Sequence, residues 1–330
     1  MKESDLNNLV ARCGQDYVSR RLRIQVNYAA DILGHGTSFI HLENLELGFT
    51  MLGWVLRIAG LWRRGYSNMK AHRVVYNDIP VLGLPEPFEN FRLLQISDLH
   101  LDAVKGFGSH LGRLISGLDF DVALLTGDFR YLTHGDYYPM FREMNDLSEF
   151  LACRFGCYAI LGNHDFLEFV PHLEKNGVKV LINEAVPVEL KGSRIWIVGL
   201  DDAHFYGLHD YARAFRGIPT KERKVLMIHS PETLDEAANY RPDLILSGHT
   251  HGGQICLPGG LPLWLNAKCR GMYCRGRWTF KGINGYTSVG AGSSGLPVRL
   301  NCPPEIVIHR LHSRHSEKGR WVSQNPQSRA

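Results

Sequence analysis

Ile160-Leu161-Gly162-Asn163-His164-Asp165 is an apolar run that stops abruptly in an amide, an imidazole and a carboxylate. Taken alone it reads as a strand ending in a polar turn. The same grammar recurs along the chain. Residues 91–97 run into Asp98 and His100, 121–126 into Gly127-Asp128, 224–228 into His229, and 243–247 into Gly248-His249-Thr250-His251. In open α/β sheets, sites are built at the carboxyl ends of strands. The five polar ends are therefore expected to converge on one place.

Outward from these ends, apolar runs alternate with helical periodicity. Strands are expected at 91–97, 121–126, 157–161, 178–182, 194–199, 224–228 and 243–247. Helical stretches are expected at 109–117, 136–151 and 167–176, with a further helix opening at Pro231 behind a Ser230 cap. The spacing of about 30 residues between ligand-bearing strand ends is that of a βαβ unit. Residues 277–289 and 305–311 alternate as half-buried strands do, so the second half reads as more antiparallel. The expected fold class is α/β, two packed sheets flanked by helices, with the main domain at 88–311.

Before that domain lies a helical extension, 1–87. Residues 5–35 carry a stripe of Val18, Leu22, Val26 and Ala29. Residues 45–64 read as one amphipathic helix, with Leu47, Met51, Trp54, Val55, Ile58 and Trp62 on one face and Glu46, Thr50, Gly53, Arg57, Gly60 and Arg64 on the other. Its apolar length of about 24 Å falls short of a ~30 Å hydrocarbon core, and Arg57 at depth would cost about 3 kcal/mol, so it is not expected to span a bilayer. Two readings stand nearly even: an interfacial helix on a membrane surface, or a helix packed on the domain. Residues 80–87 form a proline-punctuated connector, and 312–330 a polar tail.

Composition narrows the function classes. A hydrophobic fraction of 44% over 330 residues suits a globular chain with a real core. The net charge of +4 is small and scattered, so no nucleic acid is expected as a partner, while an anionic membrane surface stays open. Seven cysteines without a C-x-x-C pair suit free thiols in a reducing compartment. Zinc held by Cys256, Cys269 and Cys274 is a minor alternative. Residues 1–5 lack the apolar core of a secretory signal, so the expected location is cytoplasmic, peripheral on the inner face of the membrane if 45–64 binds lipid.

Asp98, His100, Asp128, Asn163, His229, His249 and His251 offer two carboxylates, one amide and four imidazoles without a thiolate. That set suits two borderline divalent ions, manganese first with iron or zinc as alternatives, better than an all-oxygen calcium cage. Asp98 with His100, and His249 with His251, can share a side if their loops are extended. Seven ligands for two ions imply one shared ligand, for which a carboxylate with two oxygens is the natural choice. Such an ion pair, ~3.5–4 Å apart, can generate hydroxide near neutral pH and clamp an in-line displacement at phosphorus. His164 would then be free to bond a phosphoryl oxygen or protonate the leaving group, oriented by Asp165.

In that order, Asp98-Leu99-His100, Gly127-Asp128, Gly162-Asn163-His164-Asp165, His229 and Gly248-His249-Thr250-His251 resemble the calcineurin-like metallophosphoesterase superfamily over residues 90–311. The resemblance implies a four-layer α/β/β/α sandwich. It also implies a first ion on Asp98, His100, Asp128 and His251, a second on Asp128, Asn163, His229 and His249, and a catalytic His164. Asp165 stands where many members carry glutamate. Gly252-Gly253-Gln254, Leu296-Pro297-Val298-Arg299 and Pro303-Pro304-Glu305-Ile306 resemble a bacterial branch holding membrane-associated phosphodiesterases and the chlamydial-type UDP-2,3-diacylglucosamine pyrophosphatase of lipid A synthesis.

The expected function is therefore metal-dependent hydrolysis of a phosphoester or pyrophosphate, with UDP-2,3-diacylglucosamine, cleaved to UMP and lipid phosphate, as the preferred substrate. A broad phosphodiesterase on nucleotides or small diesters is the alternative, and a non-catalytic metallophosphoesterase-like scaffold the alternative of another class. Arg299 could contact a phosphate, or serve as an ordinary ion-pair arginine. The apolar loop 257–265 could wall an acyl pocket or, by slight preference, pack on the core. Asp201, Asp202 and His204 follow a strand and read by preference as a solvated loop rather than pocket lining.

Overall fold

A computed structural model describes residues 1–32 and 46–314. Among the described residues, twelve strands form two six-stranded mixed sheets. They are β1 (Arg73–Leu82), β2 (Arg92–Ile96), β3 (Val122–Leu125), β4 (Cys157–Ala159), β5 (Val178–Val180), β6 (Glu184–Leu190), β7 (Ser193–Gly199), β8 (Arg223–Met227), β9 (Leu244–Ser247), β10 (Gly276–Phe280), β11 (Ile283–Thr287) and β12 (Glu305–Arg314). The first sheet has the order β1-β12-β2-β3-β4-β5 and the second β10-β11-β9-β8-β7-β6.

The ligand-bearing strands β2, β3 and β4 are parallel neighbours in the first sheet, and β8 and β9 are parallel neighbours in the second. Their side chains are almost wholly buried because both faces of each sheet are covered, which is why they read as continuous apolar runs rather than alternating ones. Leu93, Val122, Leu124 and Ile160 meet Ile195, Ile197, Val225, Met227 and Leu246 in a core between the sheets.

The outer layers are helical. α1 (Glu3–Cys13), α2 (Gln15–Ile32), α3 (Glu46–Ile58), α4 (Trp62–Asn68), α5 (Phe107–Ile115), α6 (Tyr138–Ser148) and α7 (Val170–Lys175) precede α8 (Tyr211–Ala214) and α9 (Leu234–Tyr240). A second core joins the first sheet to α1, α2, α5, α6 and α7 through Leu9, Val18, Leu111, Met144 and Leu173. A third joins the other sheet to α8 and α9 through Tyr211, Leu234 and Ala237. The result is the four-layer α/β/β/α sandwich.

Several local expectations are corrected. The sheet begins before residue 88: β1 takes in Pro80, Val81 and Leu82 of the expected connector and pairs in parallel with β12, which runs on to Arg314. The second sheet keeps a parallel centre, β11-β9-β8-β7, with antiparallel pairing only at β10 and β6. The stretch 277–289 is a hairpin, β10 and β11. The extension is no appendage. Arg21 of α2 is fully buried, 3.1 Å from Asp201, with its guanidinium over the Tyr206 ring.

The 45–64 stretch is two helices, since Gly60 adopts φ 71° and Leu61 N–H returns to Leu56 O at 2.8 Å, a glycine C-terminal stop. Leu52 and Leu56 on α3, with Phe49, pack on Leu296, Val298 and Leu300. Of the expected apolar stripe, Trp62 joins that cluster, whereas Met51, Trp54, Val55 and Ile58 are 61%, 60%, 59% and 85% exposed. The helix is thus apolar on both sides, one packed and one open. Among the described residues no helix is long and apolar enough to cross a membrane. Residues 33–45 and 315–330, with Leu45 of the expected helix and most of the expected tail, lie outside the described residues.

Candidate metal centre

The five strand ends do converge. Five of the seven side chains sit on left-handed backbone: Asp98 (φ 49°), His100 (41°), Asp128 (57°), His249 (70°) and His251 (51°). Each such residue costs about 1–2 kcal/mol, a strain that a surrounding fold must hold in place. Here the holding bonds are Asp98 N–H to Gly127 O and His100 N–H to Asp128 O, both 3.0 Å, and His249 N–H to the Asp98 carboxylate at 2.9 and 3.0 Å. The loops are therefore not extended, and the two histidines of the last motif face different groups. Gly248 is a close approach: a Cβ there would run into the Ser97 hydroxyl and the Asp98 carboxylate.

Two groups result. In the first, His100 Nδ1 donates to Arg130 O at 2.6 Å, leaving Nε2 3.1 Å from His251 Nε2, which is 3.5 Å from Asp98 Oδ1. In the second, His229 Nδ1 donates to Thr126 O at 2.8 Å, leaving Nε2 3.0 Å from Asn163 Oδ1, on which His249 Nδ1 also lies at 2.9 Å. Asp128 stands between. Its Oδ2 is 3.3 Å from His229 Nε2 and 3.8 Å from His100 Nε2, while Oδ1 is taken by His164 N–H at 2.9 Å. One carboxylate oxygen, rather than two, faces both groups.

The electrostatics are those of a site built for cations. Burial pushes the Asp98 carboxyl up to about 6 and the His100 imidazole down to about 3. Burial also pushes Asp128 up, but His229, His164 and His100 together outweigh it and hold its carboxyl well below the usual range. His229 is held well above its ordinary value because Asp128 and Asp98 overcome the effect of burial. Lone pairs and carboxylate oxygens that converge in a dry pocket fit one divalent ion in each group, with Asp128 common to both.

Comparison with known proteins follows the same line. A sequence model of the calcineurin-like phosphoesterases matches residues 91–253. The metallophosphoesterase YkuE of Bacillus subtilis is 30% identical over 244 residues, which cover 70% of this chain and 82% of YkuE. The chain belongs to the calcineurin-like phosphoesterase family. That family is one of metal-dependent phosphoester hydrolases with a dinuclear centre. A transmembrane protein with a metallophosphoesterase domain from Danio rerio is 31% identical over 254 residues, 71% of this chain, and the match spans only 56% of that protein's length. The UDP-2,3-diacylglucosamine pyrophosphatase LpxG of Chlamydia muridarum is 27% identical over 295 residues, covering 69% of this chain and 86% of LpxG.

Within this calcineurin-like phosphoesterase, several side chains stand differently from expectation. Asp165 does not orient the His164 imidazole. It is fully buried and accepts Asp128 N–H at 2.8 Å, Phe129 N–H at 2.9 Å and Gly162 N–H at 2.8 Å, stapling the loops that carry Asp128 and Asn163. His164 Nε2 lies 3.9 Å from Asp128 Oδ2, and its buried Nδ1 has no hydrogen-bond partner. Arg299 is enclosed rather than offered to a ligand. Its donors reach Gly292 O, Val289 O and Cys302 O, and Nη2 lies 3.2 Å from His251 Nδ1. Asp201 and Asp202 are buried, not solvated: Asp201 holds Arg21, and Asp202 caps a turn by accepting Phe205 and Tyr206 N–H.

The loop 257–265 leaves Leu257, Leu261, Leu263 and Trp264 largely exposed. Cys256 clusters with Cys302, whereas Cys269 and Cys274 lie 3.6 Å apart, so the three cysteines considered for zinc do not meet. Among the described residues no group of three metal-binding side chains includes a cysteine. One neighbour of the centre escaped the sequence reading altogether. Glu232, three residues after His229, lies against His204 and His249. The only local signal was its spacing from the ligand.

Proposed function

We propose that this chain hydrolyses the pyrophosphate bond of a lipid-linked substrate, UDP-2,3-diacylglucosamine, releasing UMP and lipid phosphate. The observation that carries the hydrolase reading is the single oxygen, Asp128 Oδ2, placed between two groups of imidazole and carboxylate donors, with His164 at 3.9 Å. Asp98, His100, Asp128 and His251 would hold one divalent ion, and Asp128, Asn163, His229 and His249 the other, with manganese the preferred metal. When bound, such a pair supplies a hydroxide nucleophile at neutral pH and offsets the charge that develops at phosphorus.

The protein's own residues do the rest. Asp128 and Asp165 lock the loop geometry, so the donors need no reorganisation when substrate arrives. The His164 ring lies edge-on to His100, centroids 4.9 Å apart, at the rim of the donor set and nearly buried. From there it is placed to donate to a phosphoryl oxygen or to protonate the departing oxygen.

The lipid part of the proposal rests on an open apolar surface. Met51, Trp54, Val55 and Ile58 of α3 and Leu257, Leu261, Leu263 and Trp264 of the loop after His251 are exposed. Helix α3 packs on a cluster with Ile255, Leu296 and Val298, and Arg57 lies 5.8 Å from the exposed Trp54 ring centre. Exposed tryptophan beside arginine on an open apolar helix face suits a peripheral contact with lipid headgroups and acyl chains. The LpxG relative acts on a substrate of that kind by its name.

The test is UMP release from UDP-2,3-diacylglucosamine by manganese-loaded protein in detergent micelles, beside hydrolysis of a chromogenic phosphodiester. Fast UMP release with a poor diester rate supports the proposal. Diester hydrolysis without UMP release would replace it with a broad phosphodiesterase, and loss of neither activity on mutating Asp128 to asparagine would overturn the site itself.

A further inference from the structure

Among the described residues, a cluster of metal-binding side chains joins His249 to two groups that are not among the seven donors. His204 Nδ1 lies 3.0 and 3.1 Å from the two carboxylate oxygens of Glu232, and the His204 ring packs on the His249 ring with centroids 4.1 Å apart. A ring nitrogen of each histidine and an oxygen of Glu232 all fall within 4.8 Å of one another. Glu232 is itself held: Oε1 accepts Lys268 N–H at 2.6 Å, and the two side chains are only 8% (His204) and 10% (Glu232) exposed.

The directions of the His249 ring matter here. Its Nδ1 points at Asn163 Oδ1, 2.9 Å away, inside the second group of donors. Its Nε2 edge therefore points out of that group. A histidine that binds a metal through one nitrogen commonly donates the other N–H to a carboxylate or carbonyl, which fixes both tautomer and ring plane. His100 and His229 have backbone carbonyls of Arg130 and Thr126 in that position. At His249 the neighbouring groups are side chains, Glu232 and His204.

We propose that Glu232, together with His204, is the positioning pair of the second metal site. The negative charge of Glu232, with one oxygen within 4.8 Å of a His249 ring nitrogen, favours the His249 proton on Nε2, the edge turned away from Asn163, and so leaves the Nδ1 lone pair for the ion. The loop 200–208 and residues 230–233, ahead of α9, would then set second-site affinity, although neither provides a ligand. This inference rests on the two-ion reading of the proposed function.

Manganese titration of the full chain, followed by the exchange-coupled signal of the ion pair in electron paramagnetic resonance, tests it. Glu232→Gln should leave the first equivalent bound as in the parent and weaken the second about 10–100-fold, with the pair signal appearing only at correspondingly higher manganese. His204→Ala should weaken the second equivalent in the same direction, and Glu232→Asp should recover part of the loss. Thermal melting of the metal-free variants checks that the fold is intact. Two results would overturn the proposal. Both equivalents could bind Glu232→Gln as tightly as the parent. Alternatively the parent could take up a third equivalent that Glu232→Gln loses, which would make the cluster a cation site of its own. A parent that binds no ion pair at all would sink the two-ion reading instead, whatever the variants do.

Discussion

Replacing Asp165 with asparagine separates two roles that a sequence motif cannot tell apart. The carboxylate accepts three buried backbone N–H groups: Phe129 on Oδ1, and Asp128 and Gly162 on Oδ2. An asparagine can present one oxygen. Its amide nitrogen then faces at least one N–H, two donors in a dry site. A buried donor left without an acceptor costs about 1–3 kcal/mol, and the loss of a charged acceptor weakens the remaining bonds. Asp165→Asn should therefore destabilise the chain by about 2–4 kcal/mol. Because the staple fixes the loops that carry Asp128 and Asn163, manganese affinity should fall with it. Urea unfolding of metal-free protein gives the first quantity, with an unchanged m-value as the check on the denatured state, and metal titration gives the second. A variant that keeps parental stability and binds both ions normally, yet turns over slowly, would refute the staple and return Asp165 to orienting His164.

Three further outcomes follow from the same geometry. His164→Ala should lower kcat about 10²–10⁴-fold with both manganese equivalents retained, and unchanged turnover would remove His164 from the chemistry. His309 is buried between Asn77 and Gln95, and burial pushes its imidazole down to about 3. The unfolded chain then binds the extra proton, so stability is full above the unfolded pKa near 6.5 and falls as pH drops toward about 3, by about 2 kcal/mol at pH 5. Urea midpoints at pH 7 and 5 should show a shallower fall for His309→Gln, and equal slopes would exclude this histidine as the source. Trp54→Glu should abolish partition to anionic vesicles without loss of stability. Trp62→Glu should also destabilise, because Trp62 packs against the cluster around Val298. Parental vesicle binding by Trp54→Glu would leave α3 as a helix that contacts only protein.

The residues that converge on the candidate centre were legible because the signal is local. A buried parallel strand must be a short apolar run, and a site at its carboxyl end must follow within one to four residues, as with β2 and Asp98-Leu99-His100. Strands that break this rule were missed: β1 contains Pro80 and lies at a sheet edge, and β6 contains Pro187 and also lies at an edge. The amphipathic reading of 45–64 named real apolar residues but left open whether their face meets protein or lipid, because periodicity says which side chains align and not which apolar face meets protein. Only the tertiary structure decided that Leu52 and Leu56 pack while Trp54 faces out.

The roles of the polar neighbours were likewise decided in space. Asp165 sits beside His164 in sequence yet bonds to Asp128 and Phe129 across the loop. Arg299 lies near the end of the domain and closes under His251. Glu232 meets His204 across 28 residues. By itself the sequence determined the α/β layering and which polar strand ends would gather, since burial and strand-end position are properties of a residue and its immediate strand. It could not determine which charges pair with which, because that depends on how separate strand ends are brought together. Only the packed sandwich fixes those distances.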